Sequence, residues 1–212
     1  MKPAVLHDGG VADRKGAESM PIFSVDENIE VRLLEECDAQ RLSRLADGWE
    51  SRPQVNEWLF PGSSPEAALE FIRGHRQRYT AGSGFGAGIW VRDDLAGVIC
   101  LNCRGVLAVE VPNPVTASID YALAPTFRGK GIITRACKAV VDYAFSNYPI
   151  NRIEIASDAV NVKSCAIPER LGFVREGVLR QMVSYGSFFG DIVVYSLLRH
   201  EWETNWQPRQ AH

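Results

Sequence analysis

Residues 118–145 constrain the fold of this chain more than any other part of the sequence. They are typical of a strand, a turn that begins at Pro125, and a helix that follows two closely spaced glycines. Apolar residues recur at helical spacing along one face of the predicted helix, at Ile133, Cys137, Val140 and Ala144. The stretch therefore predicts a strand that leads through a short turn into a helix with one buried and one exposed face.

The turn before that helix contains two basic residues and two glycines, which are Arg128, Gly129, Lys130 and Gly131. The first N–H groups of a helix have no partner within it and point outward, with the positive end of the helix dipole behind them. Glycine lets a ligand approach the backbone where a Cβ would block it. The basic side chains add positive charge at the same place. The turn is therefore a candidate phosphate-binding site.

Length and composition limit what the chain can be. Its 212 residues fit one domain of ordinary size with some length left over. Residues 21–205 are predicted to form the domain, residues 1–20 a flexible N-terminal tail without periodicity, and residues 206–212 a C-terminal tail. The net charge of −3 gives no bulk attraction to nucleic acid. No apolar run approaches the roughly 20 residues that a bilayer requires, and no signal peptide is evident, so we expect no membrane partner and a cytoplasmic location.

The five cysteines are odd in number, which suits reduced thiols rather than a disulfide framework. Cys100 and Cys103 form a C-x-x-C pattern that also occurs in metal and redox sites. They fall in a strand-like run, in which residues three apart point to opposite faces, and no second cysteine or histidine pair accompanies them. Both are therefore predicted to be structural, and no metal is expected.

Strand and helix patterns alternate along the chain. The first strand is predicted at NIEVRLL, and hairpins are predicted around residues 93–94 and 186–190. Two helices have recognisable caps, since Ser64 precedes Pro65 and Asn161 precedes an amphipathic run. The interleaving predicts a mixed α and β fold, α+β in class, with one mostly antiparallel sheet and helices on both faces.

Two motifs resemble the acetyl-CoA-binding core of the GNAT acyltransferases. In FRGKGIIT, Arg128, Gly131 and Ile133 occupy the places of the family's phosphate-binding pattern, with a bulky Ile133 where a small residue is usual. NVKSCAIPERLGF matches the second family motif at Asn161, Ser164, Glu169, Arg170, Gly172 and Phe173. Over roughly residues 22–202, further segments such as GDIVVYSLLRHEW are similar to the RimJ/RimL-type ribosomal-protein N-acetyltransferases.

This resemblance implies a GNAT fold with a twisted sheet of about six to seven strands and a splayed central strand pair. It implies acetyl-CoA as co-substrate, with the pantetheine arm in the gap, and an amine acceptor that is a protein N-terminus or a small amine. Separately from the resemblance, the apolar final hairpin could pair with a second copy and form a homodimer. The implied cofactor-binding residues are Tyr121, Ala122, Leu123, Arg128, Gly129, Lys130, Gly131, Ile132, Ile133, Thr134, Asn161 and Ser164.

The catalytic residues are less clearly defined by the resemblance. Family members often use a tyrosine four residues after Ser164 to protonate the thiolate, but this chain has Pro168 there. The hydroxyl of Ser164 is the nearest substitute, and the alternative is that Asn161 and Ser164 only begin a helix. Pro168 also has no N–H for the Ser164 carbonyl, which should kink or shorten the helix.

The sequence also leaves the identity of the general base undetermined. Relatives carry a glutamate where this chain has Ser118, which leaves Asp120 and Glu110 as nearby carboxylates. Apolar neighbours could raise the pKa of Asp120 to a useful value, or its side chain could face solvent or pair with a lysine, or a bound water could replace any base.

On the acceptor side, Trp58 and Glu110 are candidate substrate contacts, although Trp58 could instead close the core.

Two rival functions are consistent with parts of the sequence. A nucleotide-binding module would use Gly129 and Gly131, but the dinucleotide pattern requires a third glycine where Thr134 stands. A non-catalytic acyl-CoA-binding sensor would explain the missing tyrosine and glutamate. The six acidic residues between Asp26 and Asp38 could attract a cationic acceptor or form a solvated face.

Overall fold

The computed structural model describes residues 22–47, 64–104 and 115–205, and the strands of these residues form a single sheet. Its eight strands are β1 (Ile22–Asp26), β2 (Ile29–Leu33), β3 (Gly84–Val91), β4 (Asp94–Arg104), β5 (Val115–Leu123), β6 (Ile150–Asp158), β7 (Val174–Ser184) and β8 (Phe189–Leu198). The spatial order is β1-β2-β3-β4-β5-β6-β8-β7. Neighbouring strands are antiparallel except β5 and β6, which are parallel. The predicted mixed, mostly antiparallel sheet is confirmed. It has one strand more than the upper end of the predicted range of six to seven strands.

Helices cover both faces of this sheet, as predicted. They are α1 (Ala39–Asp47), α2 (Pro65–Thr80), α3 (Ile132–Asn147), α4 (Val162–Arg170) and α5 (Arg199–Asn205). The strand β4 shows how the sheet separates two apolar cores. Val98 and Cys100 join the core beneath α1 and α2, whereas Ile99 and Leu101 join the larger core beneath α3.

The additional strand is β1, which the sequence analysis missed by starting the first strand at NIEVRLL. It is a short edge strand that pairs with β2 through a tight turn, in which the N–H of Asn28 donates to Asp26 at 2.9 Å. Its Phe23 packs against Tyr143 of α3 with ring centroids 4.3 Å apart. Its position therefore depends on contacts that are remote in sequence.

The predicted helix starts and faces are confirmed. Ser64 accepts a hydrogen bond from the N–H of Ala67 at 3.1 Å, and Pro65 is the first residue of α2. The apolar face predicted for α3 is buried in the core, and includes Ile133, Cys137, Val140 and Ala144. These features are local, which explains why the sequence predicted them.

The parallel strands β5 and β6 separate partway along their length. They are paired from Val115–Ile150 to Ser118–Glu154. Beyond this point β5 stays paired with β4 as far as Leu123, and β6 stays paired with β8 as far as Asp158. The two strands therefore splay toward their C-terminal ends and leave a gap between them, which confirms the predicted splayed pair. The strand β5 begins three residues earlier than the stretch that predicted it, and those residues make most of the pairing with β6.

Several sequence predictions lie outside the described residues, namely both tails, Trp58 and Glu110. Within the described helices, none has the length and apolar character needed to cross a membrane.

Candidate functional site

The turn between β5 and α3 has the backbone conformation of an anion-binding loop. A single 3-10 turn, Pro125–Phe127, is followed by Gly129 at φ +77° and Gly131 at φ +69°. Both values lie in the left-handed region, which residues with a Cβ rarely adopt. A Cβ at Gly129 would meet no atom within 4 Å in the described structure. Backbone conformation, rather than crowding within the protein, therefore requires glycine there.

The first turn of α3 has no side-chain cap. Gly131 is the N-cap and supplies no side-chain hydrogen bond, whereas Ser64 and Asn161 cap α2 and α4. The amides that follow Gly131 belong to the first turn, so they have no acceptor within the helix. The side chains of Ile132 and Ile133 are buried in the core. The bulky Ile133 side chain therefore belongs to the core and does not cover the turn.

Arg128 ties this turn to the end of β5. Its Nε donates a hydrogen bond to the carbonyl oxygen of Leu123 at 3.0 Å. That carbonyl is therefore already engaged inside the protein, and only part of the Leu123 backbone remains for the predicted contact with a pantetheine arm. Lys130 is exposed, with Nζ 5.7 Å from the ring centroid of Phe127.

Two candidate residues lie on opposite sides of the gap. Asp120 and Tyr121 lie two and three residues beyond Ser118, the last residue of β5 paired with β6, and consecutive residues of a strand point to opposite faces. Asp120 lies on the α2 side, where it meets Asn102. Tyr121 lies on the α4 side, where its hydroxyl meets Ser164. The structure thus brings the sequence-predicted Asp120 and Ser164 to the two sides of one opening.

Asp120 is the terminal acceptor of a hydrogen-bond chain across three elements. It is 8% exposed and accepts a hydrogen bond from Asn102 Nδ2 at 2.8 Å. Arg78 of α2 donates to Asn102 Oδ1 at 2.7 Å, which fixes the orientation of the amide. The hydroxyl of Ser118, also 8% exposed, approaches Asp120 without a well-formed hydrogen bond. Asp120 is therefore shielded from solvent, and it pairs with no lysine of the described residues.

Burial raises the pKa of Asp120 above its ordinary value. The hydrogen bond from Asn102, the charge of Arg104 and the approach of the Ser118 hydroxyl lower the pKa by smaller amounts. A carboxylate with a raised pKa is a stronger proton acceptor than an exposed one. The environment of Asp120 is therefore suited to a general base.

The neighbouring histidine and cysteines are uncharged. The ring of His75 lies over Gly86 with Nε2 3.9 Å from Cys100 Sγ, and burial lowers the pKa of His75 to about 4. Burial raises the pKa of Cys103 to about 11. In the part of the chain that the structure describes, no group of three or more His, Cys, Asp or Glu side chains could hold a metal ion.

On the other side of the gap, α4 begins at Asn161 and carries Ser164 in its first turn. The side chain of Asn161 accepts a hydrogen bond from the N–H of Ser164 at 3.2 Å, so Asn161 is a helix cap. The hydroxyl of Tyr121 lies 3.2 Å from Ser164 Oγ and 3.3 Å from the Ser164 carbonyl oxygen. Pro168 lies inside α4, as the sequence indicated.

Sequence patterns do not predict the contacts of the Arg78 and Asn102 side chains or the contact of the Tyr121 hydroxyl with Ser164. Asn102 lies 18 residues before Asp120 and 24 after Arg78, so no spacing rule joins them. One sequence feature did point to a contact at this place. Pro168 has no N–H to donate to the carbonyl oxygen of Ser164, so that oxygen was expected to need another donor, which the structure identifies as Tyr121.

Three of the six acidic residues in the run near the N-terminus form ion pairs in the structure. Asp26 forms an ion pair with Arg135 at 3.2 Å, and Glu36 with Arg73 at 2.9 Å. Asp38 is buried and lies 3.3 Å from Arg32. Most of the run nevertheless stays exposed, so it forms the solvated face that the sequence also allowed.

Comparison with known proteins assigns this chain to a family. Residues 28–174 match the acetyltransferase (GNAT) domain. The chain is 37% identical over 183 residues to the putative ribosomal N-acetyltransferase YdaF of Bacillus subtilis (strain 168), covering 84% of this chain and 96% of that protein. A crystal structure of a probable acetyltransferase superposes with a TM-score of 0.73 at 37% identity, covering 85% of this chain and 98% of that one.

A more distant structure has the same fold. RimL, a ribosomal L7/L12 alpha-N-protein acetyltransferase in complex with coenzyme A, superposes with a TM-score of 0.72 at 22% identity, covering 84% of this chain and 98% of RimL. With the splayed strands and the uncapped helix at the glycine turn, these matches establish that the chain belongs to the GNAT acetyltransferase family and is an acetyl-CoA-dependent N-acetyltransferase.

Proposed function

We propose that this protein acetylates a primary amine by direct attack on acetyl-CoA, with the coenzyme arm in the gap between β5 and β6. The observation that carries this proposal is the splay of the two strands beside the uncapped start of α3. Acetyl-CoA supplies the activated thioester carbonyl. The protein supplies amides for the pyrophosphate at the glycine turn and, at Tyr121, Ala122 and Leu123, strand backbone bordering the gap.

The two sides of the gap have complementary chemistry. On the α2 side, Asp120 accepts a proton from the attacking amine, and its raised pKa suits this role. On the α4 side, the Ser164 hydroxyl gives a proton to the departing thiolate. Neither group requires a metal. The base, Asp120, and the acid, Ser164, lie on opposite faces of the sheet.

The contact between Asn102 and Asp120 leads to a pH prediction. Activity requires ionised Asp120, so the rate rises as the pH increases through its pKa. Asn102→Ala removes a hydrogen bond that lowers this pKa. A hydrogen bond to a charged group favours the charged form, so its loss raises the pKa of Asp120. We expect the acidic limb of the kcat/KM profile to move to higher pH. Asn147→Ala, which alters an exposed amide at the end of α3, is the control and should leave the limb in place.

The acceptor that we propose is the N-terminus of a protein, with a small amine as the alternative. The Bacillus subtilis relative is named a putative ribosomal N-acetyltransferase, which favours a peptide acceptor. Trp58 and Glu110 remain proposed acceptor contacts, and we infer that the protein works in the cytoplasm. We also propose a homodimer, because the edge strand β7 and its hairpin expose apolar side chains such as Met182 and Phe189.

A screen of amines distinguishes the enzyme from a sensor. Thiol release from acetyl-CoA is measured with peptides of different N-terminal residues and with polyamines and other small amines, and products are identified by mass spectrometry. We expect acceptor-dependent thiol release and an acetylated α-amino group. Tight acetyl-CoA binding without release for any amine would support the sensor instead.

A further inference from the structure

Pro168 leaves one backbone group of α4 without its usual partner. The carbonyl oxygen of a helical residue normally accepts a hydrogen bond from the N–H four residues later. For Ser164 that residue is Pro168, which has no N–H. The hydroxyl of Tyr121, 43 residues away in sequence, lies 3.3 Å from this carbonyl oxygen and replaces the missing donor. The proline and the tyrosine therefore form one structural unit.

The same hydroxyl also reaches the side chain of Ser164, at 3.2 Å from Oγ. A tyrosine hydroxyl has one proton to donate, so two arrangements are available. When Tyr121 donates to the carbonyl, Ser164 can donate to Tyr121. When Tyr121 donates to Ser164 Oγ, the proton of Ser164 is free to point elsewhere, including into the gap.

Tyr121 is suited to orient a neighbour rather than to lose its own proton. Its ring packs against the core beneath α3, and it is only partly exposed. Burial raises its pKa above the ordinary value for tyrosine, and the hydrogen bond with Ser164 offsets this only in part. The hydroxyl therefore remains protonated and available as a donor at neutral pH.

We propose that Tyr121 is a positioning residue that holds the Ser164 hydroxyl toward the thioester sulfur, in a site where Pro168 has displaced the family's usual tyrosine. This inference rests on the proposed acetyl transfer. It adds a residue on β5 whose side chain acts through Ser164, whereas the resemblance implied only a backbone contact at Tyr121.

In the proposed acetyl transfer, every proton that one group loses is gained by another. The amine nitrogen forms a bond to the acetyl carbon, and Asp120 takes one proton from the amine. The carbon–sulfur bond breaks, its electron pair stays on sulfur, and sulfur takes the proton of Ser164 while Tyr121 donates a hydrogen bond to Oγ. Water then returns a proton to Ser164 and removes one from Asp120, so the enzyme is regenerated.

A double-mutant cycle tests this role. Wild-type protein, Tyr121→Phe, Ser164→Ala and the double variant are compared for kcat, for the KM of acetyl-CoA, and for melting temperature. We expect Tyr121→Phe to lower kcat about tenfold and Ser164→Ala to lower it by more than tenfold, with the KM of acetyl-CoA little changed. The double variant should be no slower than Ser164→Ala alone, because the effect of Tyr121 passes through Ser164.

Tyr195→Phe is the matched control. The hydroxyl of Tyr195 donates to Glu169 Oε1 of the same helix at 2.9 Å, on a buried residue of β8. Both variants lose one hydroxyl bonded to α4, so both should lower the melting temperature by a few degrees, but only Tyr121→Phe should lower kcat.

Three results would overturn the inference. The first is a wild-type kcat in Tyr121→Phe. The second is a loss of kcat on adding Tyr121→Phe to Ser164→Ala that is as large as its loss in the wild-type protein, and the third is a loss of kcat in Tyr195→Phe as large as that in Tyr121→Phe. A wild-type protein that binds acetyl-CoA but acetylates no amine would overturn both the proposed function and this inference, whereas full kcat in Tyr121→Phe beside an active wild-type protein would overturn the inference alone.

Discussion

Asp120→Asn is expected to lower kcat by about 100-fold to 10,000-fold, the range typical of a lost general base, while raising the melting temperature. The folded-state pKa of Asp120 is raised by burial, so the fold disfavours the ionised carboxylate. A group of this kind contributes stability below its ordinary pKa, and that contribution is lost as the pH rises through the folded-state pKa. Replacing it by a neutral amide therefore stabilises the fold at neutral pH.

The geometry of the site supports this substitution. The Oδ1 of the new amide can still accept the hydrogen bond from Asn102 Nδ2, and its NH₂ group can donate to the hydroxyl of Ser118. The gain in melting temperature should be a few degrees at pH 7 and should vanish at a pH below the ordinary pKa of aspartate.

Activity and thermal unfolding measured from acidic to neutral pH check both effects. Asp94→Asn, which alters an exposed carboxylate at the start of β4, is the control and should change neither. If Asp120→Asn kept the wild-type acidic limb, Asp120 would not be the base and a bound water would replace it. A lower melting temperature at neutral pH would contradict the account of its burial.

Gly131→Val is expected to weaken acetyl-CoA binding by at least about 30-fold, which corresponds to roughly 2 kcal/mol of charge-assisted hydrogen bonds to the pyrophosphate. Gly131 lies at φ +69°, where a β-branched residue is strongly strained. The backbone must shift to accommodate valine, and the first-turn amides of α3 then no longer converge on the anion.

Gly82→Val separates this effect from a general loss of stability. Gly82 follows α2 at φ +67°, almost the same conformation, and a Cβ there would meet no described atom within 4 Å. Both variants should lose similar stability, but only Gly131→Val should lose affinity in a calorimetric titration with acetyl-CoA. Equal affinities in the two variants would show that the glycine turn does not bind the coenzyme.

The parts of the fold that depend on local sequence were predictable. The buried face of α3, the cap at Ser64 and the final hairpin follow from periodicity, a short polar side chain before a helix, and turn residues. The glycine turn was predicted from the sequence as a phosphate site, and the structure adds that Gly129 and Gly131 both have a left-handed backbone.

The parts that depend on sheet register were not predictable. The chain of Arg78, Asn102 and Asp120 exists because antiparallel pairing of β4 with β5 brings Asn102 beside Asp120 and α2 crosses above them. The point where β5 and β6 separate likewise depends on residues that pair across the sheet. Pro168 predicted an unsatisfied carbonyl at Ser164, but only the tertiary structure identifies Tyr121 as its donor.

Hydrogen–deuterium exchange of the full-length protein with and without acetyl-CoA tests the central claim most directly. If the coenzyme occupies the gap with its pyrophosphate on the glycine turn, exchange should slow at the first-turn amides of α3, residues 132–134, and along β5 at residues 119–123. Exchange in the control segment β2 should stay the same. Protection confined to another surface, or no protection at saturating acetyl-CoA, would contradict the account.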